Sequence, residues 1–138
     1  MSELALKLIR EAKKTKAKKL DLGNCGLTEL PDELFELVWL EELYLSNSGW
    51  LYNFNEEFES TFVSQNDGAK NNVKYFPSKI QKLQNLRILL ANGDHDLKWD
   101  LNDLSPLQNL AKLTYLDIFE TQINDLSPLQ NLKNLIQI

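Results

Sequence analysis

Residues 102–110 read N-D-L-S-P-L-Q-N-L, and residues 124–132 read the same nine letters, 22 positions later. A fixed period in the range of about 20–50 residues marks a repeat architecture, in which each unit buries its apolar side only against its neighbours. Working outward from the second copy, residues 113–123 read LTYLDIFETQI and are followed by Leu126. Leu113, Leu116, Ile118, Ile123 and Leu126 fit the spacing L-x-x-L-x-L-x-x-N/C-x-L, with Thr121 at the N/C position.

The same spacing can be followed back towards the N-terminus. Residues 17–31 read AKKLDLGNCGLTELP, in which Leu20 and Leu22 alternate with Lys19, Asp21 and Gly23 as in a strand with one buried face. Pro31 suits the first turn of a short helix, and Asp32 and Glu33 suit its positive end. A second repeat starts at Leu40. Its hydrophobe–proline pair, matching Leu30-Pro31, arrives only at Phe76-Pro77. The segment from Trp50 to Phe76 spans 26 positions where Leu27 to Leu30 spans 3, so 23 residues are inserted, placed at about 51–75. Within them Phe54, Phe58 and Phe62 recur at i, i+4, i+8 behind a possible Asn55 N-cap, which predicts a short amphipathic helix over 56–63. A turn-rich loop, QNDGAKNN, follows at 65–72.

A third repeat starts at Leu86, with Leu89 and Ala91 at buried strand positions and a five-residue insertion within about 92–100. The fourth starts at Leu113. The fifth starts at Leu135 and reaches Ile138 without a capping sequence. One domain thus divides into repeats at 17–39, 40–85, 86–112, 113–134 and a truncated 135–138. Ahead of them Ser2 suits a helix N-cap, and Leu4, Leu8 and Ala12, with Ile9 beside them, share one face. This predicts a helix over 2–16 that closes the open flank of the first repeat.

Composition narrows the function. Net charge is −5, which argues against nucleic acid as the main partner. The basic run at 13–19 reads as a solvated helix end and strand edge rather than a nucleic-acid or anionic-lipid patch. The first residues lack the pattern of a signal peptide, and no apolar run approaches the ~20 residues of a membrane span. The single cysteine, Cys25, has no internal disulfide partner. Together these features point to a cytoplasmic chain with no membrane partner. Cys25 occupies the N/C position of its repeat, and the only histidine, His95, lies two repeats away, which argues for structure over nucleophilic catalysis. Asp94, His95, Asp96, Asp100 and Asp103 offer oxygen ligands to a divalent cation but lack EF-hand spacing. Phosphate-binding motifs are missing too. The expectation is therefore no catalytic residue, no metal and no cofactor.

These residues resemble the leucine-rich repeat family from about Ala17 to Ile138. The opening LIREAKKTKAKKLDLGNCGLTELP (8–31) is similar to the start of bacterial proteins whose repeats precede a Roco-type GTPase or another signalling domain. The last two repeats look more like the 22-residue internalin type with its S-P-L-x-N-L segment. The resemblance implies an α/β fold: a right-handed solenoid with a concave parallel sheet, short convex helices or 3₁₀ turns, and an N-terminal cap helix. It also implies recognition of a protein partner by the concave side, without enzymatic activity. The alternative is a regulatory fragment of a larger bacterial signalling enzyme, such as a Roco-type GTPase, with its catalytic domain outside this chain. The family's buried asparagine ladder is degraded, its positions falling to Cys25, Ser48, Asp94 and Thr121.

On the concave side, strand alternation turns outward Lys19, Asp21 and Gly23, then Glu42, Tyr44 and Ser46, then Ile88, Leu90 and Asn92, and last Tyr115, Asp117 and Phe119. Two arrangements are open. Tyr44, Ile88, Leu90, Tyr115, Asp117 and Phe119 form an exposed interaction patch, walled by Trp50, Tyr52 and Phe54 packed against His95 and Trp99 where the two insertions meet. Alternatively, the aromatic insertion folds down and covers the patch. Leu135 and Ile138, left without a polar cap, further predict weak self-association through the C-terminal end.

Overall fold

The computed structural model describes residues 2–53 and 58–135. Helix α1 (Glu3–Thr15) begins at Ser2, whose hydroxyl accepts the Ala5 amide at 3.1 Å, and ends at Lys16 in the left-handed conformation. Its buried stripe is Ala5, Ile9 and Ala12, with Leu4 and Leu8 only partly covered. Small residues let the helix lie close against the first repeat. The basic run is directed at the second repeat and the turn before it: Lys13 pairs with Glu36, Lys18 with Glu41 and Lys19 with Glu42, and Lys16 lies over the Trp39 ring at 4.0 Å.

Four three-residue strands form a parallel sheet: β1 (Lys19–Asp21), β2 (Glu42–Tyr44), β5 (Ile88–Leu90) and β6 (Tyr115–Asp117), in that order. Leu20, Leu43, Leu89 and Leu116 stand in register across it. They meet the leucines and isoleucine of 3₁₀ turns at Asp32–Glu36, Ser78–Lys82, Ser105–Leu107 and Ser127–Leu129. Proline starts or precedes each turn, because a fixed φ and a missing N–H are harmless there. Leu43, Leu89 and Leu116 are completely buried, each contributing about 2 kcal/mol of transfer free energy.

The inserted segment does not form a helix. It forms an antiparallel hairpin of β3 (Ser48–Asn53) and β4 (Phe58–Val63), paired from Ser48 opposite Val63 to Asn53 opposite Phe58. The helix expected over 56–63 is thus a strand where the residues are described; Phe54, Asn55, Glu56 and Glu57 lie outside them. A spacing of four is even as well as nearly one helical turn, so the aromatic spacing in the sequence suits either conformation.

The insertion also sits elsewhere than 51–75. Asn71 is completely buried, and its side chain accepts the amides of Cys25 (3.2 Å) and Leu27 (2.7 Å) while donating to the carbonyls of Leu22 and Leu45 (both 2.8 Å). This is the ladder role assigned from sequence to Ser48. Asn71, Val73 and Phe76 therefore match Cys25, Leu27 and Leu30, and the 23 inserted residues are 48–70. The same register puts Trp99, not Asp94, at the third ladder position, since Asn72 and Asp100 exchange hydrogen bonds as adjacent equivalents and Trp99 is completely buried.

Candidate functional site

Hairpin β3–β4 lies on the open face of the sheet, opposite the 3₁₀ turns. Both of its ends are tied to loops at the C-terminal edge of the strands. The Ser48 carbonyl accepts the Asn92 amide group at 2.9 Å. At the other end, Asp21 accepts Ser64 Oγ at 2.8 Å and the Gln65 amide at 2.9 Å, while Asn66 donates to the carbonyls of Asp21 and Gly23. Gly23 is required here, because a Cβ would lie 2.3 Å from the Ser46 carbonyl oxygen and 2.6 Å from Ser64 Cβ.

Beneath the hairpin, Tyr44, Ile88, Leu90 and Tyr115 form a second apolar cluster, with Leu51 and Phe62 packed onto it from above. The Tyr44 and Phe62 rings are 5.0 Å apart and tilted by 54°, a favourable aromatic geometry. Tyr44 donates to Glu42, and burial with that bond keeps its phenol protonated. Burial likewise raises the Tyr115 pKa, with Glu59 and Asp117 adding to the shift. The arrangement with an exposed patch is therefore corrected: Tyr44, Ile88, Leu90 and Tyr115 are covered by the insertion. Phe62 was singled out from sequence as part of an expected helix; Leu51 and Glu59 were not. The alternation F-x-S-x-F over 58–62 was the available signal.

The two insertions do meet at one rim, as the aromatic-wall arrangement requires, but through other residues. Lys70, at the end of the long insertion, pairs with Asp94 in the short one at 2.9 Å; just past both insertions, Lys74 pairs with Asp100 at 3.0 Å. Trp99 is in the main core and contributes nothing to a wall. His95 is exposed on the turn that Asp94 closes by accepting the amides of Asp96 and Leu97. Burial acts to raise the Asp94 pKa, but the bonds from Lys70 and those two amides outweigh it and leave it lowered. The Tyr52 side chain and Phe54 lie outside the described residues.

What remains open is a groove of about 250 Å³ between the start of β3 and the loop after β6. Trp50 and Phe119 flank it, 49% and 64% exposed. Asp117 lines it from the sheet, is 3% exposed, and accepts the Phe119 amide at 3.0 Å. Burial raises the Asp117 carboxyl above the usual range; the Phe119 amide opposes the shift and Glu59 adds to it. Ser48, Gly49, Asn92, Gly93, Asp94 and Glu120 complete the lining. Gly93 has no room for a side chain, since a Cβ would lie 2.4 Å from the Glu120 carbonyl oxygen.

Cys25 has the chemistry of a packing residue. Its thiol donates to the Gly23 carbonyl at 3.4 Å, and burial, followed by nearby Asp21, pushes its pKa up to about 11. That thiol stays protonated near neutrality, unlike an activated nucleophile. The carboxylates considered as a cation set are spent locally: Asp94 on Lys70, Asp100 on Lys74 and Asn72, Asp103 on Ser105. Among the described residues, no group of three or more potential ligands is placed to hold a metal ion, and no helix is long and apolar enough to cross a membrane.

Comparison with solved structures places this architecture among leucine-rich repeat proteins. A leucine-rich repeat protein of Leptospira interrogans matches with a TM-score of 0.51 at 21% identity, covering 94% of this chain and 33% of its own. An internalin of Listeria monocytogenes matches with a TM-score of 0.53 at 23% identity, covering 97% of this chain and 41% of its own. The chain thus spans about a third to two fifths of the length of these structures. No family model matches the sequence, and the search of curated proteins finds no match. The shared feature is the fold, that of the leucine-rich repeat.

Proposed function

We propose that this chain is a non-enzymatic recognition module that binds a protein partner on the sheet side of the repeats, next to the hairpin. The observation that carries this reading is the pair Trp50 and Phe119: two large aromatic side chains held about half exposed or more on either side of a groove. Aromatic residues of this kind dominate binding hot spots, and concavity helps to desolvate the anchor they receive. Tyr44, Ile88, Leu90 and Tyr115 then act as the bed on which the hairpin is held, and His95 lies near the docking rim.

The test is affinity capture from cells of the native source, repeated with Trp50→Ala and Phe119→Ala. A partner retained by the wild-type chain should be lost by at least one of these variants and retained by Val38→Ala, which alters an exposed residue away from the groove. A partner held equally by all four chains would overturn the site. Turnover of a substrate that survives both aromatic substitutions would overturn the non-enzymatic reading.

A further inference from the structure

We propose that the groove receives a basic side chain, arginine above all, from the protein partner; this deepens the protein-recognition reading and rests on it. Three features favour a cation. First, the groove is lined by three acidic residues, Asp94, Asp117 and Glu120, and, among the described residues, by no lysine or arginine. The nearest lysine shown to engage it, Lys70, binds Asp94 from outside the lining. Second, two exposed aromatic residues, Trp50 and Phe119, line it, and a flat guanidinium stacks on aromatic rings while its fork donates to a carboxylate. Third, Asp117 is an almost completely buried acid at a cleft, where a charge is costly unless a partner compensates it.

Local structure fixes the shape of the groove. Gly49 and Gly93 pack against the chain itself: a Cβ would lie 3.0 Å from Asn92 Oδ1 at the first and 2.4 Å from the Glu120 carbonyl oxygen at the second, so the loops that carry the lining are held close together. The Glu120 residue has φ +54°, which turns the chain sharply after Phe119 and sets that ring at the rim. The chain's net charge of −5 would steer a basic partner towards the protein at long range, whereas the groove selects the side chain.

The test uses the full chain, labelled with nitrogen-15, and three synthetic peptides in which glycine alternates with arginine, citrulline or glutamate. Citrulline keeps the shape of arginine and removes its charge. The arginine peptide should shift the Trp50 indole N–H and the Gly93, Phe119 and Glu120 amides in a saturable way. The citrulline and glutamate peptides should bind roughly tenfold or more weakly, as charge-assisted pairs and cation–π contacts together require. Asp117→Asn and Trp50→Ala should each weaken the arginine peptide about tenfold, while Glu36→Gln, a carboxylate exposed elsewhere, should leave it unchanged. Trp50 is half exposed, so its variant keeps the test valid if Asp117→Asn does not fold. Shifts scattered over the acidic surface, equal binding of the citrulline peptide, or indifference to Trp50→Ala would overturn the groove. A protein partner whose binding ignores Trp50 and Asp117 would overturn the groove and leave protein recognition standing; arginine-peptide binding with no protein partner would do the reverse.

Discussion

The two faces of the parallel sheet are both apolar, yet they are closed by different means. On one face Leu20, Leu43, Leu89 and Leu116 meet the 3₁₀ turns, and every unit repeats the same contacts. On the other, Tyr44, Ile88, Leu90 and Tyr115 are met by Leu51 and Phe62 from one hairpin that occurs once. The first closure is written into the period of the chain. The second depends on an interruption of that period. Loss of the first should therefore unfold the stack, while loss of the second should uncover a surface and leave the stack folded.

The sharpest break is expected between the faces, at Asn71. Asn71→Leu removes four buried hydrogen bonds, three of which join the first two repeats, and should destabilise the chain by about 4 kcal/mol in urea unfolding. A loss below about 1 kcal/mol would mean that the stack does not depend on this rung. Next, Leu89→Ala should cost about 3 kcal/mol, in the range for a fully buried leucine. Phe62→Ala should cost less, about 1–2 kcal/mol, because the ring is only partly buried; far-ultraviolet circular dichroism should survive and binding of a hydrophobic dye should rise. If Phe62→Ala abolished folding, the two closures would not be separable.

A smaller effect has the opposite sign. The Asp117 carboxyl has its pKa raised by burial in the folded chain, so its protonated form stabilises the fold below the ordinary value of 3.8, and that contribution is lost as pH rises through the folded value. Glu59 reinforces this, and Asp94 and Glu120 share the same groove. Asp117→Asn should therefore raise the melting temperature at neutral pH, with the gain fading as the solution is acidified. Asp94 and Asp100 have lowered values and behave oppositely, contributing stability that is lost as pH falls below about 3.8. An unchanged melting temperature in Asp117→Asn would show that its charge is already compensated. The smallest effect is expected at Val38, where an exposed valine changed to serine should shift stability by less than about 0.5 kcal/mol.

The sequence carried the periodic part well. Leucine spacing located the strands and turns of the parallel sheet, because those residues recur for one physical reason. The hairpin was harder. A spacing of four satisfies both periods, so Phe58 and Phe62 could not separate helix from strand. Ser60, Thr61 and Val63 were the better guide, being weak helix formers. The insertion's length was legible but its ends were not: Trp50 resembled Leu27 in register, and only the bonds of Asn71 identify the true rung. Of the site, Trp50 and Phe119 were legible as aromatic residues flanking strands. The burial of Trp99 was hidden, because it depended on where five extra residues begin.

Asn47 and Asn71 are joined across the insertion by a hydrogen bond of 3.2 Å from the Asn71 amide to the Asn47 side chain. The chain thus leaves the stack and returns almost to where it departed. A detour of this form can be lengthened, shortened or exchanged without moving any leucine beneath the sheet. Removing residues 48–70 and joining Asn47 to Asn71 would give a repeat as long as its predecessor, Leu40 to Leu86 shrinking from 46 residues to 23. What such an exchange must respect is the ground below, since Tyr44, Ile88, Leu90 and Tyr115 suit an apolar covering and would otherwise face water. The stack is thus a mounting on which the recognition surface can change separately from the structure that carries it.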